Sequence, residues 1–251
     1  MDRRICVVTG AGRGIGRATA VRLAAEGHRV VLVSRSPAEL EETAGQCRGE
    51  TLCRVADVTG PDAPEAVFAE VERSWGPVDV LVAAAGRNHS AKIADTTDED
   101  WRQMLELNLT AVFRWTRRAV APMTERGWGR IVVVSSIAGK RGFKYLTAYS
   151  AAKHGVVGLV RSLAEEVAAT GVTVNAVCPA YVDTPLTERT VSAIVGRTGW
   201  TPDAATRHVH SLQPIGRMIT PDEVAETVWS LVANGALTGQ SIHVDGGLVH
   251  G

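Results

Sequence analysis

Residues 5–16 of the chain read Ile-Cys-Val-Val-Thr-Gly-Ala-Gly-Arg-Gly-Ile-Gly. An apolar run here passes through a turn with four glycines into a helical pattern, which we predict over Ile15–Glu26. Glycine allows a tight turn and a close approach of the backbone to a pyrophosphate, whose charge is favoured at a helix N-terminus. A glycine-rich turn without a ligand is the alternative. Because this turn joins the first strand to the first helix, we interpret it as a dinucleotide phosphate loop.

Strand and helix patterns alternate along the rest of the chain. Apolar and amphipathic runs predict strands at Val30–Val33, Thr51–Val55, Val78–Ala83, Ile131–Ser135, Val172–Val177 and Ser241–Val244, and helices at Asp98–Arg118, Ala148–Ala169 and Pro221–Val232. Val- and Ile-rich runs separated by helices indicate a parallel sheet that is buried on both faces. We therefore predict an α/β fold, a single doubly wound parallel sheet of about seven strands with helices on both faces. Since no low-complexity linker interrupts residues 1–251, one domain is expected.

Two helices carry explicit start signals. Ser36-Pro37-Ala38-Glu39 and Thr220-Pro221-Asp222-Glu223 each supply an N-cap residue, a proline in the first turn and a capping-box acid. We expect one helix to begin at each proline, with both halves of the capping box formed.

Composition excludes several function classes. The chain is 45% hydrophobic and 22% charged, with 27 basic and 27 acidic residues, a balance that argues against nucleic acid or an anionic membrane as a partner. No apolar run approaches the ~18 residues of a membrane span, and the few residues before the first strand leave no room for a signal peptide. The four cysteines lack CxxC spacing, which indicates reduced thiols in a cytoplasmic protein. His208 and His210 have no cysteine or acid to complete a ligand set, so no metal site is predicted.

Tyr149 and Lys153 stand four residues apart in a predicted helix, which places both side chains on one face. A phenol has an unperturbed pKa near ~10, and a neighbouring ammonium favours the phenolate and lowers that pKa. Tyr149 could then give or take a proton near pH 7. The same spacing occurs by chance on many helices, so this interpretation depends on the other motifs of the chain.

The end of the second strand predicts the cofactor. A site that prefers NAD usually has an acid there to accept the ribose 2′-hydroxyl, but this chain has Ser34 and Arg35, with no acid before Glu39. Arg35 and Arg13 could instead hold a 2′-phosphate, which suits the planar guanidinium group. Two solvated surface arginines are the alternative. The pattern favours NADP(H).

Further motifs occur in a fixed order after the glycine loop. They are Asp57 after the third strand, Ala85-Gly86 after the fourth, Asn108 in Leu107-Asn108-Leu109, Ser136 thirteen residues before Tyr149, Tyr149-x-x-x-Lys153, and Cys178-Pro179-Ala180-Tyr181-Val182-Asp183-Thr184-Pro185. In these motifs the chain resembles the short-chain dehydrogenase/reductase family over essentially its whole length. The resemblance implies a Rossmann-type fold, a homotetramer or homodimer, and hydride transfer between a nicotinamide and a carbonyl or alcohol.

The resemblance also implies catalytic roles. Tyr149 would be the general acid in reduction and the base in oxidation, and Lys153 would lower the pKa of Tyr149 and hold the nicotinamide ribose. Ser136 would hydrogen-bond the substrate oxygen, an oxyanion-type contribution, and Asn108 would hold the water through which a proton leaves Lys153. Two alternatives stay open: Ser135 could act in place of Ser136, and Asn108 could be a structural bridge.

Cofactor contacts follow from the same resemblance. Asp57 and the Val58 backbone would face the adenine, although Asp57 could simply be a turn residue, and Val182 and Thr184 would meet the nicotinamide carboxamide. The remaining cofactor contacts expected are Gly10, Arg13, Gly14, Ile15, Gly16, Ser34, Arg35, Ala85, Gly86, Tyr149, Lys153 and Pro179.

The substrate is less well determined by sequence. Gly76–Val82, Val174–Pro179 and Pro214–Arg217 resemble 3-oxoacyl thioester reductases and aromatic polyketide ketoreductases, but residues 87–90 read Arg-Asn-His-Ser where the latter often carry Pro-Gly-Gly. We expect an NADPH-dependent ketoreductase acting on a 3-oxoacyl thioester or polyketide-like ketone, free or linked to a carrier protein or CoA. The alternatives are a dehydrogenase that oxidises a secondary alcohol or small hydroxy acid and, more remotely, a non-catalytic NADP(H) sensor.

Leu186–Arg217 is the one long segment in which no strand is predicted. It follows the sixth strand directly, and ligands bind at the carboxyl ends of strands in open parallel sheets. Such a segment in a compact domain is usually a lid or binding loop. We predict a substrate-specificity lid at residues 186–217, in which Trp200, Val191, Ile194 and Val195 cover the substrate.

Overall fold

A computed structural model describes residues 2–249 of the protein, in which strands and helices alternate. The strands are β1 Ile5–Thr9, β2 Arg29–Ser34, β3 Thr51–Val55, β4 Val80–Ala83, β5 Gly129–Val134, β6 Val172–Pro179 and β7 Ser241–Val244. The helices are α1 Gly14–Ala25, α2 Pro37–Gln46, α3 Ala63–Ser74, α4 Asp98–Leu105, α5 Ala111–Glu125, α6 Thr147–Val167, α7 Pro185–Thr198, α8 Pro202–Ser211 and α9 Pro221–Ala233.

All strand pairs of the sheet are parallel, in the order β3-β2-β1-β4-β5-β6-β7. Val7 of β1 pairs with Val31 on one side and with Leu81 on the other. The strand order therefore reverses between β1 and β4, and such a reversal opens a crevice at the carboxyl ends of the strands. The predicted doubly wound parallel sheet is confirmed.

Two apolar cores cover the two faces of the sheet. One face packs around Phe68, Trp115 and Met123, and the other packs around Leu23 and Leu231. Every residue of β1, β4, β5 and β6 is buried, which explains why these strands read as continuous apolar runs.

The single helix predicted over Asp98–Arg118 is wrong in detail. Helix α4 ends at Leu105, a π-helical turn occupies Glu106–Thr110, and α5 follows. The wider turn shifts the helical register, a device often found at functional sites. Its central residue is the buried Asn108.

The two predicted capping boxes differ in outcome. At α9 both halves form, because Glu223 N donates to Thr220 and Thr220 N donates to the Glu223 carboxylate. At α2 only the Ser36 half forms within the described chain. The Glu39 carboxylate instead pairs with Arg13 of the glycine loop, at 3.3 Å between Oε1 and Nη1. An ion pair across 26 residues has replaced a local contact.

Among residues 2–249, no helix has the length and apolar character needed to cross a membrane.

Candidate active site

A cavity of about 670 Å³ lies at the carboxyl ends of the strands, where their order reverses. The glycine loop forms one wall, Ser34–Ser36 and Asp57–Thr59 form one end, and Ala84–Arg87 form part of the floor. The start of α7, residues 184–186 with Arg189, closes the other side. This volume is in the range of small-molecule and cofactor sites.

The glycine loop leaves room for a phosphate group. A Cβ at Gly10 would lie 2.8 Å from Ala85 Cα, and one at Gly16 would lie 2.1 Å from Gly10 O, so no side chain fits at either position. Gly10 also has φ +69°, a conformation that glycine adopts without penalty. Within the described chain, no side chain caps the start of α1. Free N–H groups at a helix start suit an anion, so these residues fit a dinucleotide pyrophosphate.

Thr9 fixes the loop against the neighbouring strand. Its hydroxyl oxygen accepts hydrogen bonds from the N–H groups of Ala84 and Ala85, at 3.2 and 3.4 Å. The end of β4 is therefore tied to β1, although its sequence is Ala-Ala-Ala-Gly, without a polar side chain of its own.

Two arginines and two acids alternate at the Ser34 end of the cavity. Arg13 pairs with Glu39, and Arg35 Nη1 lies 3.8 Å from Asp57 Oδ2. Asp57 accepts hydrogen bonds from the N–H and the hydroxyl of Thr59, which with Arg35 hold the pKa of that carboxyl below its usual range. Glu39 lines the cavity, a position that sequence reasoning missed because the residue was read as a capping acid.

Tyr149 and Lys153 lie on the face of α6 that packs on the sheet, with exposed fractions of only 7% and 3%. The Lys153 ammonium donates to Val134 O at 2.9 Å and lies 5.8 Å from the centre of the Tyr149 ring. The helix therefore brings the predicted pair together, and β5 fixes the position of the lysine.

Burial is the largest cause of the pKa shifts of both Tyr149 and Lys153. It raises the pKa of Tyr149 to about 12, although a hydrogen bond with Ser136 opposes the shift, and it lowers the pKa of Lys153 to about 8. The predicted lowering of the Tyr149 pKa by Lys153 is not among the causes of this shift, whose direction is set by burial. Loss of solvent around the phenolate outweighs any attraction to the ammonium.

The two candidate serines differ in their contacts. Ser135 is buried, and its hydroxyl donates to the backbone oxygen of Lys153 at 3.2 Å, which fastens α6 to the end of β5. Ser136 Oγ instead accepts a hydrogen bond from Ala138 N at 3.1 Å, and its interaction with Tyr149 lowers the pKa of the phenol. Gly139, just beyond, packs so tightly that a Cβ there would lie 2.6 Å from Lys153 O. Of the two serines, Ser136 is the one that affects the pKa of the phenol.

Asn108 is fully buried and bridges two segments. Its Nδ2 donates to Arg87 O at 3.0 Å and to Met104 O at 3.1 Å, and its Oδ1 accepts from Arg87 N at 3.3 Å. A Cβ added at Gly86 would lie 3.0 Å from Asn108 Oδ1 and 3.7 Å from Lys153 Nζ. Gly86 lines the cavity, so the cavity ends beside Asn108 and Lys153.

The predicted cofactor contacts separate into two groups. The lining of the cavity includes all the predicted contacts from the glycine loop, Ser34, Arg35, Asp57, Val58, Ala85, Gly86 and Thr184. Four predicted contacts do not reach the lining of the cavity formed by the described residues: Tyr149 and Lys153 are buried on α6, and Pro179 and Val182 are buried in and after β6. Val182 O instead accepts hydrogen bonds from Thr184 and Thr187, so it shapes the start of α7.

A model of the family described as short chain dehydrogenase matches residues 4–194 of the chain. The protein belongs to the short-chain dehydrogenases. It is 41% identical to a putative ketoacyl reductase of Streptomyces coelicolor over 98% of this chain and 97% of that protein. It is 34% identical to 3-oxoacyl-[acyl-carrier-protein] reductase FabG of Thermotoga maritima over 99% of both chains. Among solved structures, it matches a variant of actinorhodin polyketide ketoreductase with NADPH at a TM-score of 0.94 and 40% identity, over 98% of this chain and 97% of that one.

In this short-chain dehydrogenase, α7 is held by the segment after β4. Asn88 Nδ2 donates to Thr190 Oγ1 at 3.2 Å, and Arg197 Nη2 donates to Ser90 Oγ at 3.0 Å. The Arg197 guanidinium also lies 5.0 Å from the ring centre of Tyr145, a residue with φ +67° just before α6. Three segments, the one after β4, α7 and the one before α6, are thus connected through side chains.

The described chain of this dehydrogenase contains no group of three or more histidine, cysteine or acidic side chains that could hold a metal ion. His208 packs edge-on against Trp200, with ring centres 5.4 Å apart.

Proposed function

We propose that the protein is an NADPH-dependent ketoreductase that acts on a 3-oxoacyl thioester or polyketide-like ketone. The observation that carries the proposal is the position of Tyr149, which is buried on α6 beside Lys153, while Lys153 and Asn108 lie directly behind Gly86 in the lining of a dinucleotide-sized cavity. The ketoacyl reductase relatives support the reaction, and the NADPH of the actinorhodin enzyme supports the cofactor.

When bound, NADPH would supply the hydride. The glycine loop would hold its pyrophosphate, Arg13 and Arg35 its 2′-phosphate, and Asp57 and Val58 its adenine. Both arginines have an acid partner, so the 2′-phosphate must compete with Glu39 and Asp57.

Tyr149 would protonate the oxygen of the substrate as negative charge develops on it. A phenol whose pKa is about 12 stays protonated at neutral pH, which suits a general acid. Oxidation of an alcohol would instead require Tyr149 as phenolate, and burial opposes that form. The protonated form of Tyr149 is thus the form that reduction of a ketone uses.

The neighbours of Tyr149 would orient and resupply it. Ser136 would donate a hydrogen bond to the substrate oxygen. Lys153, with a pKa of about 8, keeps its proton near pH 7 and would replace the proton that Tyr149 gives up. Asn108, held on both sides by Arg87, would fix the path of that proton toward solvent.

Residues 186–217 would form the substrate-specificity lid. Helix α7 buries only Thr187, and Trp200 is exposed, so this region has apolar surface available to a substrate. The relatives named for ketoacyl and acyl-carrier-protein substrates favour a carrier- or CoA-linked ketone.

We also propose a cytoplasmic homotetramer or homodimer. The exposed aromatic rings of Trp101 on α4 and Phe113 on α5 support an interface between copies of the chain. Sedimentation of the purified protein distinguishes monomer, dimer and tetramer.

The test of the function is a ketone panel with NADPH. It should include a 3-oxoacid, its N-acetylcysteamine thioester, an acyl-carrier-linked thioester and a bicyclic diketone, with oxidation of NADPH followed by absorbance. We expect reduction of thioester-linked substrates, with a lower KM for the carrier-linked form. Tight binding of NADPH without reduction of any ketone would instead indicate a non-catalytic sensor.

A further inference from the structure

Helix α7 forms a wall of the cofactor cavity as well as a predicted cover for the substrate. Thr184, Pro185, Leu186 and Arg189 all line the cavity. Pro185 and Arg189 are four residues apart and therefore share one face of the helix. A Cβ at Gly14 would lie 3.1 Å from Thr184 Cγ2, so the start of α7 packs directly on the glycine loop.

Two cavity arginines, Arg87 and Arg189, have no carboxylate partner in the described chain, and of the two only Arg189 also makes no side-chain hydrogen bond there. Arg13 and Arg35 pair with Glu39 and Asp57, and Arg87 donates to Gln103. Within residues 2–249, no carboxylate oxygen lies within 4.0 Å of the Arg189 side-chain nitrogens. The carboxylate of Glu106, another residue of the cavity lining, is already bound to Arg114. The wall formed by α7 therefore presents an unneutralised cation to the cavity.

The position of Arg189 determines which phosphate group of a bound dinucleotide it can contact. The 2′-phosphate site, between Arg13 and Arg35, lies at the end of the cavity marked by Ser34 and Asp57. Arg189 comes instead from the helix that packs on Gly14, where the turn enters α1. The anion expected there is the pyrophosphate, which both NADPH and NADH carry.

We propose that Arg189 binds the pyrophosphate of the dinucleotide and thereby draws α7 onto the bound cofactor. This inference rests on the proposed function, because it requires a dinucleotide in the cavity. Since α7 also contacts the segment after β4 through Thr190 and Arg197, cofactor binding stabilises the whole helix in its closed position. Arg189 thus couples the cofactor to the segment that selects the substrate.

The experiment compares the wild type with Arg189→Gln and Arg189→Lys by calorimetric titration. Three probes are used: NADPH, NADH and 2′-AMP, which carries the 2′-phosphate but no pyrophosphate. Arg189→Gln is expected to weaken NADPH and NADH about tenfold or more and by equal factors, since a charge-assisted contact is lost from both. The dissociation constant of 2′-AMP should not change. Arg189→Lys should recover part of the affinity, because a point charge replaces a two-pronged donor.

Two control variants make the result specific. Arg161→Gln removes one exposed positive charge from α6, away from the cavity lining, and should leave all three dissociation constants unchanged. Arg35→Ala should weaken NADPH and 2′-AMP but not NADH, the opposite pattern to Arg189→Gln.

A second readout follows the helix itself. NADPH should slow hydrogen exchange in residues 186–198 of the wild type, and Arg189→Gln should lose most of this protection. The inference is overturned if Arg189→Gln binds NADPH and NADH as the wild type does, or if its loss is confined to NADPH and 2′-AMP. If the wild type itself binds neither NADPH nor NADH, the proposed function fails together with the inference. If the wild type binds both and only the result for Arg189→Gln differs from expectation, the inference alone fails.

Discussion

Helices α6 and α7 border the same site but are held in opposite ways. Ten residues of α6 are buried, Tyr149 and Lys153 among them, whereas α7 buries only Thr187. A buried helix fixes its side chains by close packing, so α6 can hold a proton donor in one position. A helix held by a few surface hydrogen bonds opens at a small cost in free energy, so α7 can adapt to ligands. In the proposed function, the proton transfer takes place on the rigid helix and the selection of ligands on the loosely held one.

The sharpest test of this contrast is to remove the reactive hydroxyl from α6. Tyr149→Phe keeps the ring, and therefore the packing, but removes the acid, so we expect kcat to fall by roughly 10²–10⁴-fold while NADPH binding persists. Single-turnover kinetics and calorimetric titration measure the two effects. Tyr145→Phe, a hydroxyl lost from an exposed tyrosine nearby, is the matched control. A Tyr149→Phe enzyme that kept a tenth of kcat, with chemistry rate-limiting, would show that the acid lies elsewhere.

The next largest effect, on NADPH affinity, is expected at the Ser34 end of the cavity, which neither α6 nor α7 forms. Arg13→Ala combined with Arg35→Ala should weaken NADPH roughly tenfold or more per arginine and leave NADH nearly unchanged, because only NADPH carries the 2′-phosphate. Glu39→Gln releases Arg13 from its ion pair and should strengthen NADPH severalfold. Dissociation constants for both dinucleotides measure these effects. Equal weakening of NADPH and NADH would place the arginines on another part of the cofactor.

The burial of Lys153 on α6 should also make the free energy of unfolding depend on pH. On folding, the pKa of Lys153 falls from 10.5 to about 8, so between these values the unfolded chain holds the proton and the folded chain does not. Stability of the wild type relative to Lys153→Met should therefore rise as the pH rises from about 8 toward 10, and not change from this cause below 8. The full shift corresponds to on the order of 3 kcal/mol.

Denaturant unfolding of the wild type and Lys153→Met from pH 7 to 10 measures this slope, with the exposed Lys144→Met as control. Above pH 10 the raised pKa of Tyr149 acts in the opposite direction, because the folded chain then holds the proton, so the series stops there. If the difference in the free energy of unfolding between the wild type and Lys153→Met does not change from pH 7 to 10, the Lys153 ammonium is well solvated in the folded chain.

The smallest effect on cofactor affinity should come from the part of α7 beyond Arg189 together with α8. Exchange of residues 190–213 for those of a related ketoreductase keeps Arg189 and should change the ratio of kcat/KM values between two ketones, with the KM for NADPH nearly unchanged. Without ligand, amide exchange in α7 should be faster than in β5 or β6. Exchange in α7 as slow as in those strands, with and without ligands, would remove the basis for a lid.

Sequence reasoning succeeded where burial and local chemistry determine structure. β3 and β7 have the predicted bounds although they are the two edge strands and are only half-buried, because β-branched residues between turn residues indicate a strand. Tyr149 and Lys153 share a helix face because helical geometry depends only on spacing.

The features that sequence missed depend on contacts between distant segments. Glu39 lies in the cavity because Arg13, 26 residues away, pairs with it, and the π-helical turn at Asn108 accompanies a bridge to Arg87. The direction of the Tyr149 pKa shift depends on the whole packed environment of the phenol. None of these contacts has a local sequence pattern that would predict it.

Gly139 limits how this site can be redesigned. Any side chain there would press on the backbone of Lys153, because a Cβ would lie 2.6 Å from its carbonyl oxygen. A library that randomises residues 137–145 to obtain new substrates would therefore lose most of its members to displacement of the lysine, whatever pocket the other positions create. Keeping Gly139 invariant, and varying Arg141 and Phe143 on either side of the open Gly142, confines diversity to positions where side chains can change without moving the proton donor.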